Sequence, residues 1–166
     1  MSATRTPDVP ATAIRSTLDE DGRAAVASRL QPLLVDLLEL TLTGKQLHWN
    51  VVGPRFKAVH EHLDEVVAEY RTWSDQVAER LTAIGVAPDG RAQRVAGDTP
   101  EDPAPESWSH HDEVVAVMTD RIEAVARRTR EHLDGLGDVD LPSEDLLIGI
   151  LEGLEMQLWM FSAQQA

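Results

Sequence analysis

The sequence predicts an all-α protein, a four-helix bundle with one long crossover between its second and third helices. Three observations carry this. Apolar residues recur at three- and four-residue steps through four long segments, and no segment shows the alternation of a convincing strand. One connection is far longer than a helix–helix loop needs, at roughly 20 residues. The chain has 166 residues, which suits one domain of bundle size with an N-terminal tail.

Residues 1–20 are rich in Ser, Thr, Pro and Ala and show no period, so they read as a flexible arm ahead of a bundle over 21–166. The first helix starts at Asp21, a good N-cap, and runs to about Asn50 on Val26, Leu30, Leu33, Leu34, Leu37, Leu38 and Thr41. Pro32 is expected to kink it or mark its true start. The second helix starts near Pro54, carries Leu63, Val66, Val67, Tyr70, Val77, Leu81 and Ile84, and stops at Gly85.

The polar run "VAPDGRAQRVAGDTPEDPAP" follows, with room for a helical turn near Arg91–Val95. Ser109 and Asp112 have the form of a capping box for the third helix, which extends to about Leu136. Pro142 and Ser143 open the fourth, whose apolar residues are Leu146, Leu147, Ile150, Leu151, Leu154, Leu158, Trp159 and Phe161. A helix of about 28 residues is about 42 Å long, and twenty extended residues reach about 66 Å. The long connection can therefore run back along the bundle and leave helices two and three parallel, as in the ferritin-like arrangement.

Composition narrows the function. The net charge is −14, which opposes binding to polyanions and to anionic membrane surfaces but attracts cations. Cysteine is absent, which excludes disulfides and thiolate sites. The N-terminal segment lacks the apolar run of a signal peptide, and no stretch has transmembrane length. A soluble, cytoplasmic protein is expected.

The segment "HEHLDEVVAEYRTWSDQVAE" holds two i, i+4 pairs of metal-capable side chains, His60 with Asp64 and Asp75 with Glu79. With His60 set at zero on a helical wheel, the other three fall at about 40°, 60° and 100°. All four share one face, beside the apolar stripe. Ala68 and Ala78 lie on or near it, small enough to admit another helix. The midpoints of the pairs are about 22 Å apart along the axis, too far to share an ion. A second copy packed antiparallel across a two-fold axis near Tyr70 would bring His60 and Asp64 of one chain to Asp75 and Glu79 of the other, twice per dimer. His48 can add a nitrogen. Imidazole and carboxylate together suit Fe²⁺ or Zn²⁺ better than Ca²⁺. The plainer alternative is a solvated acidic helix face. No Glu-x-x-His motif for a one-chain di-iron site is present.

Across "KQLHWNVVGPRFKAVHEHLDEVVAEYRTWSDQVAERL" the chain resembles the Dps-type mini-ferritins, the DNA-binding proteins from starved cells. The matching elements are Lys45 to Asn50, Gly53 to Phe56, His60 to Asp64, and Asp75 with Glu79. The last helix, "EDLLIGILEGLEMQLWMF", is similar as well. The resemblance covers about residues 20–162. It implies a ferroxidase whose ligands are His48, His60, Asp64, Asp75 and Glu79, placed between subunits. It also implies a hollow homododecamer built from two-fold dimers. Such a shell oxidises Fe²⁺ to Fe³⁺, chiefly with hydrogen peroxide, stores ferric oxide and protects against oxidative stress. Zn²⁺ could stand in place of iron. Trp49, next to His48, would be a one-electron sink or an interface aromatic. Asp145, with Asp140 beside it, would line a pore that funnels cations, unless these acids only complement a helix dipole.

The best-known members of that family carry a Lys-rich arm. This arm has Arg5 and Arg15 and no lysine, and Lys45 and Lys57 are the only lysines in the chain. DNA binding, with its nucleoid location, is therefore disfavoured; the alternative function is a DNA-compacting stress protein in which iron oxidation is secondary. Among the remaining residues, His62 is expected to be solvated and His132 to lie at the surface. His110 and His111 are expected to be neutral or exposed, at a helix N-terminus that repels cations. Trp73, Trp108 and Trp159 are expected to pack.

Overall fold

The computed structural model describes residues 14–100 and 102–166. Residues 1–13, most of the expected arm, lie outside the described residues. Two long helices, α1 (Glu20–Asn50) and α2 (Phe56–Ala83), pair closely with each other. A second pair, α4 (His111–His132) and α5 (Leu141–Ser162), packs against them. The crossover holds the short α3 (Ala92–Asp98), at the place where one turn was expected. Among the described residues no helix is long and apolar enough to cross a membrane.

The predicted stripes form the core. Leu30, Leu33 and Leu37 of α1 meet Leu63, Val66, Tyr70 and Val77 of α2. Met118 and Ile122 of α4, with Leu147, Ile150, Leu154 and Phe161 of α5, complete it. Each large apolar side chain removed from water contributes about 1.5–3 kcal/mol, so this seam holds the helices in place. Trp73 packs against the core, its indole lying across Gly153, where a Cβ would come within 2.4 Å of the ring.

Several boundaries differ from expectation. The N-cap of α1 is Asp19, whose side chain accepts from the Gly22 N–H at 2.8 Å, rather than Asp21. Pro32 does not mark the start of α1; it lies inside a continuous helix. After α2, Gly85 takes φ +81°. The Val86 N–H then reaches the Leu81 carbonyl and the Gly85 N–H the Thr82 carbonyl, both at 2.9 Å. This double closure needs the left-handed conformation that glycine adopts without penalty. The α4 helix stops at His132, and the fully buried Leu136 plugs the core from the turn beyond it.

The crossover runs the length of the bundle. Near the start of α1, the Gln31 amide donates to the Asp89 carbonyl and accepts from the Asp89 N–H, both at 2.9 Å. Near its end, Gln46 donates to the Pro105 carbonyl at 3.2 Å. These anchors are 15 residues apart on one helix, about 22 Å. The chain thus enters α4 at the end of the bundle where it left α1. There β1 (Val51–Val52) pairs in parallel with β2 (Ser109–His110), Val51 opposite Ser109 and Val52 opposite His110. This pairing was not expected. It also removes the expected capping box, because Ser109 is in the strand and the N-cap, His110, makes no side-chain cap bond.

Candidate metal centre

His48 stands in the last turn of α1 and His60 near the start of α2, and the α1–α2 packing brings them together. Their rings stack with centroids 3.6 Å apart and planes 20° apart. His48 Nδ1 donates to the His60 carbonyl at 2.9 Å, and His60 Nδ1 donates to the His48 carbonyl at 2.9 Å. A carbonyl oxygen can only accept, so both Nδ1 atoms carry the proton. In the neutral rings the lone pairs are then on Nε2. A backbone partner on the other nitrogen is how proteins orient imidazoles that ligate metals. The His48 carbonyl belongs to the last turn of α1, which lacks intrahelical partners, so His60 also caps that helix.

Asp64 follows one turn after His60. Its Oδ1 accepts from Lys45 Nζ at 2.6 Å and lies 3.5 Å from His48 Nδ1. The Lys45 hydrogen bond is the main reason the Asp64 carboxyl sits below its ordinary value, with smaller help from the two imidazoles. Lys45 Nζ is also 5.8 Å from the centroid of the Trp49 ring, which is 63% exposed. Sequence reasoning placed Lys45 inside the motif but gave it no role. Its position three residues before His48 on α1 was the available signal.

Asp75 and Glu79 are exposed farther along α2. Asp75 lines an open groove of about 610 Å³ with Leu34, Leu38, Arg71 and Ala78. Among the described residues, the only group of three or more His, Asp or Glu side chains whose ligand atoms approach within 4.8 Å of one another is His110, His111 and Asp112. The five predicted ligands therefore do not converge within one chain. His48, His60 and Asp64 gather at one end of α2, while Asp75 and Glu79 stand apart from them.

Of the two acids expected at a pore, Asp145 is exposed. Asp140 is buried as the N-cap of α5. Its Oδ2 accepts from Arg80 at 2.6 Å, from the Ser143 N–H at 3.2 Å and from the Ser143 hydroxyl. Burial pushes its carboxyl up, but the Ser143 and Arg80 hydrogen bonds outweigh this and leave it below the ordinary value.

Three other expectations are corrected. His62 is half-buried, stacked on Phe161 at 4.4 Å, with Nε2 3.2 Å from Gln157 Oε1. His132 is also half-buried, and desolvation lowers its pKa. Of the neighbouring pair expected to be neutral or exposed, His110 is exposed and His111 buried. Trp108 and Trp159 are not packed among the described residues; they are 72% and 68% exposed.

A ferritin-like domain model matches residues 27–166. The chain is 35% identical over 146 residues to the DNA protection during starvation protein of Mycolicibacterium smegmatis, covering 88% of this chain and 80% of that one. This chain belongs to the Dps-type branch of the ferritin-like family. The solved structure of Dps from Microbacterium arborescens in its high iron form superposes with a TM-score of 0.87 at 34% identity, over 91% of this chain and 99% of that one. The fine tangled pili major subunit of Haemophilus ducreyi is 39% identical over 142 residues, 83% of this chain and 73% of its own. For this Dps-type chain the all-α, ferritin-like reading of the sequence holds.

Proposed function

We propose that this chain is an iron-oxidising and iron-storing protein that protects the cell, and its DNA, under oxidative stress. Its working form is a cytoplasmic shell of twelve copies assembled from two-fold dimers. The observation that carries this reading is the His48–His60 lock, which fixes two ring tautomers with their Nε2 lone pairs free for a metal. Asp64 adds a carboxylate at the same end of α2. Asp75 and Glu79, too far away to join them, complete the set when a second copy docks antiparallel on the groove lined by Leu34, Leu38 and Ala78.

Iron is the substrate here. Two Fe²⁺ each give one electron to hydrogen peroxide, whose O–O bond breaks to two hydroxide ions, and two Fe³⁺ remain for hydrolysis to ferric oxide. The residues of this chain do three things. Neutral His48 and His60 donate nitrogen lone pairs, so binding weakens in acid. Asp64, Asp75 and Glu79 supply anionic oxygens that favour Fe³⁺ over Fe²⁺. Trp49, exposed beside the pair, serves as a one-electron sink. Exposed Asp145 takes the role of attracting cations at a pore. The arm's two arginines and the net charge of −14 leave direct DNA compaction as the weaker reading.

Mixed assembly tests the shared site. His60→Ala and Asp75→Ala chains should each lose rapid peroxide-driven iron oxidation in stopped flow. Co-assembled from equal parts, they should regain about a quarter of the sites, because a site that draws its histidine from one chain and Asp75 from the other is intact in that fraction. No recovery in a demonstrably mixed shell would contradict the shared site.

A further inference from the structure

We propose that His110, His111 and Asp112 form a second divalent-metal site, contained within one chain and separate from His48, His60 and Asp64. It would take an ion of the Zn²⁺ or Fe²⁺ type. The site is built by the unexpected β1–β2 pairing. That pairing brings Gly53, just after β1, against the two imidazoles at the start of α4. Gly53 has φ +114°, and a Cβ there would stand 2.5 Å from His111 Nδ1 and 2.9 Å from His110 Nε2. The missing side chain leaves both rings room against the backbone.

The spacing suits a metal. His110 Nδ1 is 3.3 Å from Asp112 Oδ2, and His111 Nε2 is 3.4 Å from Asp112 Oδ1. A tetrahedral ion with bonds of about 2.0–2.1 Å holds its ligand atoms about 3.3 Å apart. One nitrogen from each ring and one carboxylate oxygen fall within 4.8 Å of one another, and the ring centroids are 4.0 Å apart. A modest ring rotation closes the remaining edge.

An independent observation concerns His111. It is only 5% exposed, yet its Nδ1 is buried without a hydrogen-bond partner. A buried polar atom left unpaired costs about 1–3 kcal/mol. An ion taken at Nδ1 supplies the missing partner directly.

The donor set, two imidazoles and a carboxylate with open positions for water, favours borderline transition cations over Ca²⁺ or Mg²⁺. Two features moderate the affinity. The N-terminus of α4 carries a partial positive charge, offset by Asp112 and Glu113 in its first turn. Arg55 also pairs with Asp112 Oδ1 and competes for the carboxylate, while its other nitrogen donates to the Gln164 carbonyl at 2.9 Å.

The test uses Zn²⁺ and the full chain carrying His60→Ala and Asp75→Ala, so that each half of the shared site lacks one of its predicted ligands. Calorimetric titration should still find one zinc per chain, and X-ray absorption should show imidazole nitrogen around it. Adding His110→Ala or Asp112→Asn should weaken that binding at least about ten-fold, with helicity unchanged by circular dichroism. Arg55→Gln should tighten it, because a competing charge is gone. Absence of zinc binding in the starting chain would overturn the proposal. So would zinc binding that survives both His110→Ala and Asp112→Asn. Neither result bears on the shared iron site, which already lacks one predicted ligand from each of its two halves.

Discussion

His48 and His60 hold each other through their backbones: each Nδ1 donates to the other's carbonyl oxygen at 2.9 Å, across rings stacked at 3.6 Å. The lock joins the end of α1 to the start of α2 and sets both tautomers. Its removal should therefore affect stability and metal binding together. His60→Ala deletes the stack and the cap on the His48 carbonyl, while His48 Nδ1 keeps its bond to the backbone carbonyl of residue 60. A loss of about 1–3 kcal/mol in unfolding free energy is expected from the one broken hydrogen bond and the His48 carbonyl it leaves uncapped, measured by denaturant titration. His60→Asn, which keeps a donor of similar reach, should recover part of the stability and none of the iron oxidation. Equal stability of wild type and His60→Ala would show that the lock is not structural.

Lys45 is expected to control the charge of Asp64. The Asp64 carboxyl is held below its ordinary value chiefly by the Lys45 hydrogen bond. A depressed folded-state pKa contributes stability above the unfolded value and loses it as pH falls through the folded one. In Lys45→Met the Asp64 carboxyl should titrate closer to the ordinary carboxylate value, followed by NMR of the side-chain carboxyl. The stability difference between wild type and variant should shrink in acid. An unmoved titration would mean that Lys45 only rests on Asp64.

Much of this was readable from the chain alone, because it is local. Helix periodicity marked the core, and the i, i+4 spacing of His60 with Asp64 and of Asp75 with Glu79 marked one face of α2. The length of the crossover indicated that it runs back along the bundle. What escaped prediction is tertiary. The two-residue strands β1 and β2 are too short to leave a pattern, and they displaced the Ser109–Asp112 cap. The lock depends on main-chain carbonyls of two helices, which no side-chain spacing reveals. His62 looked solvated on a helical wheel, but α5 brings Phe161 and Gln157 over it. Trp108 and Trp159 are apolar enough to suggest packing, yet among the described residues no element covers them.

The Gln31–Asp89 bracket should fix the path of the crossover. One side-chain amide satisfies both the N–H and the carbonyl of Asp89. Gln31→Ala frees two backbone groups and should cost about 1–3 kcal/mol. Hydrogen exchange should locate the effect, with protection lost around Asp89 and retained in the core of α2, for instance at the fully buried Val66. Uniform loss across the chain would argue that the crossover is held elsewhere.

Asp140 and Asp145 are expected to separate cleanly, although sequence reasoning grouped them. Asp140 is buried, caps α5 and pairs with Arg80. Asp140→Ala removes the cap and leaves a guanidinium without its carboxylate, for a cost of about 2–4 kcal/mol. Its carboxyl is already below the ordinary value, so the contribution is present above the unfolded pKa and fades only as pH falls through the lower folded one. Asp145 is exposed, and Asp145→Asn should change stability by no more than about 0.5 kcal/mol. If Asp145 attracts cations at a pore, the same variant should slow iron uptake into the shell while His48, His60 and Asp64 keep their metal affinity. Urea titration and uptake kinetics on the two variants give four readings. A destabilised Asp145→Asn, or an Asp140→Ala as stable as wild type, would reverse the assignment of cap and surface acid.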